Sequence, residues 1–177
     1  MDRSKMVLPT FYKTRFLGID QSLSCTGVIA ADLKLNIKRA LTIDTYPDIF
    51  PEARINQIGC NVDSILKIEG DHLHFVAIEL PAFNANGLRD VLHGVYWEIR
   101  RRVWIYNPKL EVISVPINSW KKYSVGHGNA TKAMIQEEVK KRYGKYFHDE
   151  NLYDAYGLML WAINSWKTDQ KKHHRGI

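Results

Sequence analysis

Three acids in this chain stand where a carboxylate is costly unless something holds it. Asp20 ends the apolar run FLGID (16–20), Glu79 lies at the carboxyl end of the apolar stretch HFVAIELP (74–81), and Asp154 lies within DENLYDAYGLMLWA (149–162). A carboxylate at the end of an apolar strand is partly desolvated and needs a partner. Several carboxylates brought together repel one another unless they share a divalent cation, and hard oxygen donors suit Mg²⁺ or Mn²⁺. Two such ions, roughly 3.5–4 Å apart, activate water and stabilise the leaving oxygen in phosphodiester hydrolysis. Glu150 and Asn151, one turn before Asp154, and Asp149 add oxygen donors to the same neighbourhood. Each acid alone has a plainer reading: Asp20 caps a turn, Glu79 pairs with an arginine, Asp154 forms a salt bridge on a helix surface. Two strand-end acids plus a helix acid in one basic chain tip the balance toward the metal.

Other chemistries find less support. His72 and His74 beside Asp71 lack a companion cluster with zinc spacing and read as a solvated turn. Ser22 and Ser24 have no G-x-S-x-G context, and Cys25 has no identifiable histidine partner. Gly126 and Gly128 flank His127 in a G-x-G too short for a dinucleotide fingerprint, though such a loop can bring backbone N–H groups to a phosphate.

The elements that must position these groups follow from periodicity. FLGID, residues 28–31 and residues 37–42 read as a three-stranded meander. From Pro51, apolar residues at Ala53, Ile55, Ile58, Val62, Ile65, Leu66 and Ile68 predict a helix closed at Gly70. A strand delivering Glu79 follows, then a second helix over about 87–104 with the stripe Leu88, Val91, Leu92, Val95, Ile99 and Val103. The strand EVISVP (111–116), a short helix at 118–123, the loop VGHGNAT, a helix through Met134, Val139 and Tyr143, and a last helix over about 151–166 complete the order. The prediction is an α/β domain with one mixed sheet covered on both faces, and Asp20 and Glu79 near one edge of it.

Composition sets the outer bounds. The 177 residues are 45% hydrophobic and 25% charged, which excludes disordered and collagen-like classes, and two cysteines, read as buried free thiols, exclude a disulfide scaffold. No apolar run reaches the roughly 18 residues of a membrane span, and the first 15 residues lack a secretion signal's apolar core, so a cytoplasmic protein with no membrane partner is expected. Lys plus Arg number 25 against 19 Asp plus Glu, a net charge of +6, which favours a polyanionic partner. The basic residues cluster at Arg100, Arg101 and Arg102, at Lys121 and Lys122 beside Trp120, and at Lys171, Lys172 and Arg175; solvated helix ends and a frayed tail are the plainer reading of each cluster.

Taken together, the motifs resemble those of the RuvC-type Holliday-junction resolvases of the ribonuclease H-like superfamily, especially the compact bacteriophage members. FLGIDQSLSCTGVIA is similar to their first-strand motif, with Asp20 as metal-binding acid and Gly27 admitting the turn into strand two; VAIELP is similar to the second acidic motif. VGHGNATKAMIQEEV resembles the glycine pair preceding a basic helix, and DAYGLMLWA the final helix with its aspartate. The resemblance spans about residues 16–166. It implies a ribonuclease H-like mixed sheet of about five strands, three in an antiparallel meander and two parallel, with helices on both faces. The nuclease domain would span 15–167, between an extension at 1–14 and a basic tail at 168–177.

The resemblance further implies a magnesium-dependent endonuclease that resolves four-way junctions, acting as a homodimer through its second helix in a phage host's cytoplasm, with no small-molecule cofactor. Two Mg²⁺ or Mn²⁺ ions would be held by Asp20, Glu79 and Asp154 with Glu150 or Asn151, since the family's fourth acid position is Asn151 here. Lys132 would act at the scissile phosphate. Lys121, Lys132, His127 and the run Arg100, Arg101, Arg102 would contact DNA, with Phe83 as the wedge on unpaired bases because Ala82 takes the family's aromatic position. The alternatives are a nuclease of the same fold acting on flaps or RNA:DNA hybrids, a non-catalytic module that binds branched DNA, and an actin-like or sugar-kinase ATPase, for which 177 residues are too few.

Overall fold

The computed structural model describes residues 15–81 and 89–174. Strands β1 (Arg15–Asp20), β2 (Cys25–Asp32) and β3 (Ile37–Asp44) form the meander, followed by α1 (Pro51–Glu69), β4 (Leu73–Glu79), α2 (Arg89–Tyr106), β5 (Glu111–Val115), α3 (Ile117–Val125), α4 (Lys132–Tyr143) and α5 (Glu150–His174). The sheet order is β3-β2-β1-β4-β5, the first three antiparallel and the β1–β4 and β4–β5 pairs parallel. This is the five-stranded mixed sheet expected.

Because side chains alternate across the sheet, two cores form. Leu17, Ile19, Val76 and Ile78 pack under α1 and α2, whereas Phe16, Phe75 and Ala77 pack under α3, α4 and α5. Helix α5 lies across β1, β2 and β4 and is buried over much of its girth, with Leu152, Ala155, Tyr156, Leu158 and Met159 inaccessible. Each fully buried side chain of the leucine or methionine class stabilises by about 1.5–3 kcal/mol, so α5 is anchored before any polar contact is considered. It also runs on to His174, past the end near Trp166 that its stripe predicts and into the stretch read as a tail.

Two expectations of burial need correction. In α1, Ala53 and Ile68 point outward, and Arg54 and Glu69 are buried instead. Glu69 can be buried because Arg15 and Arg39 both pair with it. Arg54 donates from Nε to Thr45 Oγ1 at 2.8 Å and from Nη2 to Ser24 Oγ at 3.3 Å and Leu23 O at 3.4 Å, which ties α1 to the turn after Asp20. The cysteines are free, as expected, but Cys60 is exposed on α1 and only Cys25 is partly buried.

Candidate active site

Asp20 and Glu79 end adjacent parallel strands: Ile19 pairs with Ile78, so both carboxyls leave the sheet at the same edge. Asp154 arrives from α5, and two glycines allow it to come close. A Cβ at Gly18 of β1 would lie 2.1 Å from the Ala155 carbonyl oxygen and 2.5 Å from the Met159 nitrogen. One at Gly27 of β2 would lie 2.3 Å from the Asn151 carbonyl oxygen. The backbone of α5 therefore rests directly on the strands, and Asp154 is carried between these two contacts. Gly27 pairs with Asp20 inside the ladder, so it serves helix packing and not the turn that the family resemblance implied.

The three acids lie within one another's electrostatic reach. Burial raises Asp20 well above the usual carboxylate range, and the charges of Glu79 and Asp154 raise it further. Glu79 is pushed up to about 7, first by burial and then by Asp154, against the pull of a hydrogen bond from Trp120. Asp154 is pushed up to about 6 by burial, with Glu150 adding to the rise and Lys132 and Lys121 opposing it. Asp154 is only 7% exposed, and its Oδ1 is buried with no hydrogen-bond partner among the described residues. A buried anionic oxygen left unpaired beside two further acids is a place that lacks positive charge, and hard oxygen donors in that setting fit a divalent cation. Among the described residues no three His, Cys, Asp or Glu side chains are drawn together closely enough to hold a metal ion as they stand.

Two lysines frame the acids. Lys121 of α3 donates to the Ala130 carbonyl at 3.0 Å, and Lys132, the first residue of α4, lies 2.5 Å from Glu150 Oε1. Thr131 caps α4 by accepting from the Met134 amide at 3.3 Å, which fixes where Lys132 starts. Burial disfavours the charge on Lys132, yet Glu150, Asp154 and Asp20 together hold its ammonium above the ordinary value. The two candidates for a fourth donor separate here. Glu150 adds to the field at Asp154, while Asn151 turns to Asp149, donating to Asp149 Oδ1 from its backbone at 2.8 Å and its side chain at 2.9 Å. Asn151 and Asp149 also border Cys25, whose thiol is pushed up to about 12, chiefly by burial and by its bond to Asp44.

The remaining sequence candidates stand apart. Arg100 donates to Ser114 Oγ at 3.0 Å and lies over the Tyr96 and Trp97 rings. Arg101 pairs with Glu98 at 2.8 Å, and Arg102 with Glu98 at 2.6 Å and with Asp63. Each of the three guanidiniums thus has a partner within the protein, Arg101 on its own helix. Gly126 takes φ 87° as the left-handed cap of α3, with His127 exposed beyond it. Phe83 lies outside the described residues. Trp120 has no place among the residues singled out from the sequence, yet it is fully buried, and its Nε1 donates to Glu79 Oε2 at 2.8 Å.

No protein-family model and no curated protein matches the chain. Among solved structures it is similar to RuvC of Thermus thermophilus, with a TM-score of 0.70 and 18% identity over 83% of this chain and 92% of that one. It is similar likewise to T. thermophilus RuvC in complex with Holliday junction substrate, with a TM-score of 0.70 and 19% identity over 83% of this chain and 91% of that one. At that identity the likeness shows the fold alone, and this chain has the fold of T. thermophilus RuvC.

Proposed function

We propose that the chain is a metal-dependent, structure-selective endonuclease that resolves four-way DNA junctions. The observation that carries this reading is that buried Asp20, Glu79 and Asp154 act on one another electrostatically, with Lys121 and Lys132 in the same field, on a fold shared with a protein solved on a Holliday junction substrate. Asp20, Glu79 and Asp154, with Glu150 as the fourth donor in preference to Asn151, would hold two Mg²⁺ or Mn²⁺ ions. Bound there, the cations would supply an activated water and charge stabilisation for the leaving oxygen. Lys121 and Lys132 bring positive charge to the scissile phosphate, and Lys132 must release Glu150 to do so. Buried surroundings strengthen each of these interactions relative to water.

Two symmetric nicks need two copies. The expected stripe on α2 cannot mediate the pairing, because Val95, Ile99 and Val103 are spent on the chain's own core. The face left for a second copy carries Trp97, Trp104 and Ile105, which are 60%, 65% and 57% exposed. Junction, flap, Y-shaped and RNA:DNA hybrid substrates, compared with Mg²⁺, test the reading: paired nicks on the junction support it, and preference for the hybrid or flap selects the other nuclease reading. Binding without any Mg²⁺-dependent nicking would leave a non-catalytic module.

A further inference from the structure

Glu79 accepts a hydrogen bond from a fully buried side chain, and the donor is unusual in being apolar over most of its surface. Trp120 is inaccessible to solvent, and its ring packs on α5, where a Cβ at Gly157 would come within 2.7 Å of Cε3 and Cζ3. Helix α3 holds the residue from the other side. Ser124 donates back to the Trp120 carbonyl at 2.8 Å, and Lys121, the next residue, is tied to the Ala130 carbonyl at 3.0 Å. The indole thus has no room to turn, and its single N–H meets Glu79 Oε2 at 2.8 Å. An indole can donate but cannot accept, so it bonds the carboxylate and offers a cation nothing.

We infer that Trp120 is a positioning residue for the reaction: its fixed indole N–H holds one oxygen of Glu79 so that the other is presented to a divalent cation. This rests on the proposed metal-dependent reading and adds to it a residue on neither acidic motif. The device also links the phosphate-facing element to the acids. Trp120 and Lys121 are consecutive on α3, so the helix that orients Glu79 from within brings a lysine to the outer side of the same site. Groups that hydrogen-bond a metal ligand typically change metal affinity by about 10–100-fold when removed.

The test uses the full chain labelled with ¹⁵N and titrated with Mg²⁺, following the indole N–H resonances of its five tryptophans. Trp120→Phe identifies its peak by loss, and the four other indole peaks report whether that variant is folded. The expected result is a downfield, slowly exchanging Trp120 indole that moves with the same midpoint as the backbone amides beside Asp20 and Asp154. It should return toward an ordinary indole position in Glu79→Gln. In Trp120→Phe the amide midpoint should rise about tenfold or more. If those amides move while the Trp120 indole stays still, or if Trp120→Phe binds Mg²⁺ as the parent does, the inference is wrong and the metal reading stands. If no resonance responds to Mg²⁺, the metal reading itself is wrong. Should Trp120→Phe fail to fold, the parent titration and Glu79→Gln decide alone.

Discussion

Substituting Gly18 by alanine should separate the acids without touching any of them. The added Cβ would lie 2.1 Å from the Ala155 carbonyl oxygen, 2.5 Å from the Met159 nitrogen and 2.9 Å from Met159 Cβ. The first two are backbone atoms of a helix buried against the sheet, so no rotamer relieves the clash. Restoring an ordinary contact of about 3.2 Å requires α5 to move off β1 by roughly 1 Å. Overpacking of this kind costs about 1–3 kcal/mol, and more where backbone must shift. For a chain of this size that corresponds to a fall in melting temperature of roughly 2–12 °C. Asp154 begins the turn that must move, and misplacement by about 1 Å costs on the order of a hundredfold in rate. Thermal denaturation and single-turnover nicking of a four-way junction measure the two effects together. Gly59→Ala is the comparison, since its Cβ meets only the flexible Glu98 and Arg102 side chains and the change gains helix propensity. If Gly18→Ala melts and nicks like the parent, the close approach of α5 does not set the site.

Other consequences follow from the same contacts. Glu79 and Asp154 are held at about 7 and about 6, above their ordinary values, so the folded protein binds extra protons between pH 4 and 7. Without a divalent cation, stability from these groups should therefore fall as pH rises through that window, and the stabilisation given by Mg²⁺ should grow; melting curves with and without Mg²⁺ at pH 5 and pH 8 show it, and an equal Mg²⁺ effect at both would contradict it. Arg54→Met removes the donors that tie Thr45, Leu23 and Ser24 together, and chemical denaturation should register a loss of about 1–3 kcal/mol. Lys132→Met frees Glu150, so Mn²⁺ binding to the free protein should tighten severalfold in calorimetry while junction affinity falls and its salt dependence lessens by about one ion. A double change of Trp97 and Trp104 to serine should leave a monomer by light scattering with the fold intact, since neither side chain belongs to a core cluster.

Much of this arrangement is written in local sequence. Strand-end acids stand out because an apolar run predicts their desolvation, and the period change at Pro51 marks α1 to the residue. What escapes is whatever depends on distant partners. Arg54 and Glu69 occupy positions that periodicity assigns to solvent, and only the turn after Asp20 and the two arginines at Glu69 make their burial tolerable. Nothing local marks the bond of Trp120, because Glu79, its partner, is far away in sequence. The role of Gly18 depends on α5, a helix far away in sequence whose backbone rests on it. The choice between Glu150 and Asn151 likewise turns on which way a helix start faces, which spacing alone leaves open.

The central claim is that Asp20, Glu79 and Asp154 share a cation. Crystals grown with Mn²⁺ and measured for anomalous scattering test it directly. The account predicts a peak with oxygens of all three residues at about 2.1 Å, and Glu150 turned from Lys132 toward it. Peaks elsewhere on the surface, with the three carboxyls unligated, would contradict it.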